Sequence, residues 1–186
     1  MATLVPALTK SDWEHRLSIL QSWKYWHKNP IDPGRIDPNL DYRITYNAVI
    51  DGCAITVRAL CLCFGLSLKA VDGQGRLVSL PKTDQTIPGS SEARHQALLA
   101  CCKTNSVAHP FAAAFLADPK DLQQLCLLEV LFLANRCVAH PNGGDLYHEV
   151  SPEKMKSAIN TLLSWLRSSA FPGLADVPQS LLDPLS

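Results

Sequence analysis

The sequence predicts an all-α protein, a helical bundle with one small β-hairpin insertion. Three observations carry that prediction: apolar residues recur at spacings of three and four over most of the chain, serine- or aspartate-proline pairs open several of these stretches, and the only alternating apolar pattern is short and brackets a glycine-rich turn. At 186 residues, 47% of them hydrophobic, the chain has material for one packed domain. A single domain is expected over residues 1–170, followed by an extended tail at 171–186.

The first helix is expected at 11–27. "SDWE" matches a capping box in which the Ser11 hydroxyl accepts from a backbone N–H and Glu14 reaches back. Trp13, Leu17, Leu20 and Trp23 share one face, with Trp26 at its outer end. Such a face is mainly packing, and Trp26 is the ring placed to stack on a partner or a base. "KNPIDPGRIDPNLD" carries prolines at 30, 33 and 38, which excludes helix interior and reads as a surface loop. A long helix comes next, from residue 42 to about 66. Ile44, Ala48, Ile55, Ala59, Leu62 and Leu66 trace its main stripe, widened by Val49, Cys53, Val57, Leu60 and Phe64.

Residues 67–90 read as the hairpin and loop insertion, with the turn at Asp72-Gly73-Gln74-Gly75. Helices then resume with "EARHQALLACCK" and with a short segment starting near Pro110, where His109 marks the helix start. Asp118-Pro119 opens a helix expected to run to about His140, and Ser151-Pro152 opens the last one. On that last helix Met155, Ile159, Leu162, Leu163 and Leu166 form the apolar side. Pro172, Pro178 and Pro184 then favour a tail lying over the surface or mobile.

Charge and cysteine usage narrow the function. Lys+Arg and Asp+Glu both number 17, so no global positive field exists to coat nucleic acid. A compact site in which a few cations meet one phosphate stays open. The cysteine count of 7 is odd and the thiols lie mostly in apolar runs, which reads as buried packing in a reducing cytoplasm and not as a disulfide framework. "MATLVPALTKSDW" lacks the basic start of a secretory leader, and the longest apolar run, around 125–134, is broken by Glu129, so no membrane partner is expected. No paired C-x-x-C knuckle is present, so neither a structural zinc nor a cofactor is expected. "VDGQGRL" lacks the pattern of a phosphate loop.

The candidate site is at the end of the helix before Pro141. Glu129, Leu133, Arg136 and His140 step by four, three and four, so they share one stripe of an otherwise apolar helix. A carboxylate, a guanidinium and an imidazole on such a stripe must pair or face a cleft. In the pairing case, Arg136 bridges to Glu129 and His140 serves the helix C-terminus.

The segment "LANRCVAHPNGG…VSPEKMKSAINTLLSWL" resembles the C-terminal helix pair of HEPN domains, helical proteins that include RNases, toxins and abortive-infection proteins. The resemblance covers residues 120–168 and extends to the long helix at 42–66 as an earlier bundle helix. It implies an HEPN-like bundle, a homodimer, and metal-independent RNA cleavage in a composite cleft. His140 would move protons, Arg136 would hold the phosphate, Asn135 would orient phosphate or imidazole, and Glu129 would tune the arginine. Tyr147 and His148 would line the cleft as supporting residues. The sequence departs from the family pattern at Ala134, which stands in the usual arginine slot, with Arg136 the nearest arginine to His140. The expected function is therefore an endoribonuclease or RNA-binding effector of a toxin–antitoxin or phage-defence system. The alternative is a catalytically inactive helical protein that acts through contacts with a protein partner, as an antitoxin, inhibitor or assembly subunit.

Overall fold

A computed structural model describes residues 8–28, 42–69, 78–83, 86–105, 108–118, 122–135 and 150–186. Among these, six helices and one two-stranded antiparallel sheet are present. The helices are α1 (Lys10–Lys28), α2 (Tyr42–Cys63), α3 (Ser90–Cys101), α4 (Pro110–Ala117), α5 (Leu122–Leu133) and α6 (Pro152–Arg167), and the strands are β1 (Leu66–Leu68) and β2 (Cys102–Thr104). The class is the one the sequence predicts: mostly helical with a small β element.

Helix α5 lies at the centre. Leu127, Leu128, Val130, Leu131, Phe132, Leu133 and Ala134 are all buried, as befits a helix apolar around its whole circumference. It packs most extensively on α6, whose Met155, Ile159, Leu162, Leu163 and Leu166 form the buried side expected of them. Each such side chain contributes roughly 1.5–3 kcal/mol of burial. Helix α2 lies against α5, α6 and α1. Trp13, Leu17, Leu20 and Trp23 of α1 are buried as predicted, and the Trp13 indole N–H donates to the Pro172 carbonyl at 2.9 Å. The side chain of Trp26 lies outside the described residues.

Two of the expected proline-based helix starts are present. The Ser151 hydroxyl accepts from the Lys154 N–H at 3.3 Å ahead of Pro152, and His109 Nδ1 accepts from the Phe111 N–H at 3.3 Å ahead of Pro110. The third, Pro119, and the loop at 30–38 lie outside the described residues.

Four expectations are corrected. The first cap is not Ser11 with Glu14 but Thr9 with Asp12: Thr9 Oγ1 accepts from the Asp12 N–H at 3.2 Å, and Asp12 Oδ2 accepts from the Thr9 N–H at 2.9 Å and its hydroxyl at 2.7 Å. These bonds hold the Asp12 carboxyl below the usual carboxylate range. Both boxes have the required three-residue spacing, and burying Trp13 selects the earlier one.

The second correction concerns α2. Its buried face holds Ile50, Cys53, Ala54, Val57, Leu60, Cys61 and Phe64, whereas Ile55 and Leu62 of the expected main stripe are each 43% exposed. Of that stripe, Ala48 is also exposed, Ala59 is half-buried, and Leu66, buried, belongs to β1.

The third is the hairpin. Two antiparallel strands are present, but β1 pairs with β2, in the register Leu66–Thr104, Ser67–Lys103 and Leu68–Cys102. Residues 78–80 form no strand, and the 72–75 turn lies outside the described residues. β2 follows α3 directly, so the sheet is closed through a helix and not by the local turn.

The fourth is the C-terminal stretch, which is docked and not a free extension. Leu174, Val177, Leu182 and Leu185 are buried. Gln21 Nε2 donates to the carbonyls of Leu181 at 3.1 Å and Asp183 at 2.7 Å. Asn160 holds Leu185 through both its amide groups, accepting from the Leu185 N–H at 2.7 Å and donating to its carbonyl at 3.3 Å.

The α2–β1 junction depends on Gly65 at φ +72°. A Cβ there would come within 2.5 Å of Asn105 Oδ1 and 2.8 Å of Ala108 Cα. The Gly65 carbonyl accepts from the Asn105 N–H at 2.9 Å, and the Phe64 carbonyl from the His109 N–H at 2.9 Å. Left-handed backbone and close approach together require glycine. Replacing it, Gly65→Ala, is expected to lower unfolding stability by about 2 kcal/mol or more, read as a reduced urea midpoint with an unchanged slope.

Candidate functional site

The charged cluster lies around Glu129 on α5. Its carboxylate is 3% exposed as a residue, and it is the only charged group within the sequence of this helix. A bare carboxylate in such a setting carries a desolvation penalty of several kcal/mol. Two cations from neighbouring helices meet it. Arg94 Nε of α3 donates to Oε1 at 2.9 Å. Oε2 has no well-directed hydrogen bond and instead faces the Lys154 ammonium of α6 at 2.5 Å. Arg94 is itself buried, and its Nη1 donates to the Pro81 carbonyl at 3.1 Å, tying in the segment before α3. The Lys154 side chain keeps about a third of its surface in solvent (33%), so the cluster opens to water along α6.

His95, adjacent to Arg94, completes the group. It is buried, and its Nδ1 has no hydrogen-bond partner. Burial is the main cause that pushes the imidazole below its ordinary value of 6.5; Glu129 and Glu92 oppose this, and Lys154 and Arg94 add to it. His95 is therefore neutral at neutral pH. With two cations and one carboxylate the cluster has one net positive charge.

Helix α5 ends in a change of geometry. At Ala134 and Asn135 the α-helical turn widens to a π-type turn. Such turns insert one residue, rotate the next stretch of chain relative to a regular helix, and are frequent at functional sites. Ala134 is fully buried. Asn135 Nδ2 donates to the Leu131 carbonyl at 3.0 Å and to the Leu68 carbonyl of β1 at 3.0 Å. Both of its amide hydrogens are thus used by backbone, and only Oδ1 is left for another group.

Of the sequence-predicted residues, Glu129 and Asn135 are therefore placed, the first within α5 and the second at its exit. Arg136, His140, Tyr147 and His148 lie outside the described residues. The expected role of Glu129 as a partner of Arg136 is revised, because its two oxygens are engaged by Arg94 and Lys154. Sequence reasoning missed Arg94, His95 and Lys154. A signal for the first two existed: they stand four and three residues before Leu98, on the buried side of a helix read only as short and amphipathic.

The cysteines show no sign of nucleophilic activation. Burial pushes the thiols of Cys53 and Cys102 up to about 12, and Cys61, Cys63 and Cys101 are raised as well. Among the described residues no three His, Cys, Asp or Glu side chains gather in a group fit to hold a metal ion, and no helix is long and apolar enough to cross a membrane.

Comparison with family models, curated proteins and solved structures returns no match for this chain.

The cluster leads to two expected outcomes. Glu129→Gln leaves a buried guanidinium beside a neutral amide, and is expected to lower unfolding stability by about 3–5 kcal/mol, measured by urea denaturation at neutral pH. For His95, the folded form binds fewer protons than the unfolded one between its lowered value and 6.5. Its contribution is complete above 6.5 and is lost as pH falls through that window. The urea midpoint of the wild type should drop between pH 8 and pH 5 by more than that of His95→Phe, and parallel pH profiles would refute the assignment.

Proposed function

We propose that this chain is an HEPN-like effector that binds RNA and cleaves it without a metal ion, acting as a homodimer in a toxin–antitoxin or phage-defence setting in the cytoplasm. The observation that carries the proposal is the way α5 ends. The central helix of the core passes into a π-type turn at Ala134–Asn135, immediately before Arg136 and the histidine at 140. The extra residue in that turn offers a physical reason why an arginine placed two positions later than the family pattern can serve the same site.

In the proposed chemistry His140 takes the proton from a ribose 2′-hydroxyl. The freed oxygen attacks the adjacent phosphorus and the P–O5′ bond breaks, leaving a cyclic phosphate and a 5′-hydroxyl that takes up a proton from an imidazolium. Arg136 neutralises charge growing on the phosphate oxygens. Asn135, whose amide hydrogens are used by Leu68 and Leu131, acts through Oδ1 as an acceptor for an imidazole N–H. It therefore orients the base and does not hold the phosphate. Tyr147 and His148 would line the cleft, and Glu129 supports it indirectly by fixing α3 and α6 on α5.

The alternative, a catalytically inactive protein that works through an antitoxin, effector or other protein partner, is favoured by Ala134. This residue stands where the family has its arginine, and it is fully buried.

Purified protein incubated with total RNA in EDTA separates the two. The wild type is expected to cleave, with His140→Ala and Arg136→Ala each slower by about 100-fold or more. Equal silence from all three folded proteins overturns the nuclease proposal in favour of the inactive one.

A further inference from the structure

The long helix α2 presents two apolar faces, and only one of them is covered by its own chain. Ile55 and Leu62 are each 43% exposed, Ala48 is exposed and Ala59 half-buried, although α2 is otherwise a core helix. These four residues occupy one narrow sector, seven, four and three positions apart. Asp51 and Arg58 flank that sector on the same side, both half-buried, and they stand one heptad apart, at nearly the same angular position.

We propose that this face is the contact between two copies of the chain, packed with their α2 helices antiparallel about a two-fold axis at Ile55. The sequence of the face is complementary to itself in that arrangement and in no other simple one. The axis sets Ile55 against Ile55, and it sets the small Ala48 of one copy against the large Leu62 of the other. A two-fold axis crossing the helices at right angles keeps a flank on its own side while reversing its direction. Asp51 of one copy therefore meets Arg58 of the second, and the same pair repeats on the other side of the axis. A parallel pairing would send the two flanks to opposite sides of the seam and leave both charges without their complement. A partner of unrelated sequence has no reason to match both the size order and the charge order of this helix.

The seam is about 20 Å long, less than the surface of a standard interface of ~800 Å² per partner, so the dimer is concentration-dependent. The inference names the surface for the homodimer proposed above, but it stands on the exposed face of α2 alone. It holds whether or not the chain cleaves RNA.

Sedimentation of the full chain from low to high micromolar concentration tests it, with helicity and melting followed for each variant. The wild type is expected to pass from monomer to dimer over this range. Ile55→Glu, at an exposed position, should fold and weaken association by roughly tenfold or more. Asp51→Arg should do the same, because it sets four cations together along the flank, and the double exchange Asp51→Arg with Arg58→Asp should restore dimers. A wild type that is monomeric throughout, or a dimer indifferent to Ile55→Glu, overturns the proposal. Failure of the folded double exchange to restore association overturns the antiparallel register.

Discussion

The fold is organised around a single carboxylate in the wrong solvent. Helix α5 is apolar on every side and belongs at the centre of the molecule, yet it carries Glu129 there with it. Such a group is tolerable only when cations come to it, and they come from two directions: Arg94 on α3 and Lys154 on α6. The arginine then anchors the segment before α3 through the Pro81 carbonyl. Hydrophobic burial is non-directional and would allow these helices to slide or rotate. The ion pairs fix which turn of α3 and which turn of α6 faces α5. The neutral imidazole of His95 fits the same setting, since a further cation beside Arg94 and Lys154 would exceed what one carboxylate can balance.

The other end of α5 is fixed by different means. Asn135 bonds back to the helix through Leu131 and across to β1 through Leu68. β1 in turn is positioned by Gly65, whose left-handed backbone brings the strand off the end of α2 and against residues 105 and 108. The exit of the central helix is thus coupled to α2 through the sheet, while its middle is coupled to α3 and α6 through charge. A proposed site beginning at residue 136 would be attached to the most firmly held part of the molecule, which is where preorganised chemistry is best placed.

Features determined by adjacent residues were legible in the sequence. Ser151-Pro152 and His109-Pro110 start helices because the cap and the proline act within three residues of each other, and the tryptophan face of α1 arises from its spacing. Features that depend on distant segments were not legible. On α2, apolar residues surround so much of the circumference that periodicity could not say which face the core would take. The glycine-rich turn at 72–75 suggested a local hairpin, but β1 found its partner beyond a whole helix. Three prolines suggested a loose tail, whereas side chains of α1 and α6 bind its backbone. In the candidate site, Glu129 and Asn135 were visible from their places on α5. Arg94 and Lys154 were not, because an ion pair across 35 residues leaves no trace in local pattern.

Helices α2 and α5 look alike in composition, and the difference between them lies in how their charges are arranged. Glu129 of α5 is of one sign and is answered by cations of its own chain, so α5 is enclosed by intramolecular packing. Asp51 and Arg58 of α2 are of opposite sign and set one heptad apart beside an apolar strip that stays open to solvent. A lone buried charge selects neighbours that differ from itself. An ordered pair of opposite charges selects its own image reversed, since each end finds at the other end of a second copy what it lacks. The same physical demand, that charge next to apolar surface be neutralised, therefore builds the interior around α5 and points outward, to a second molecule, from α2.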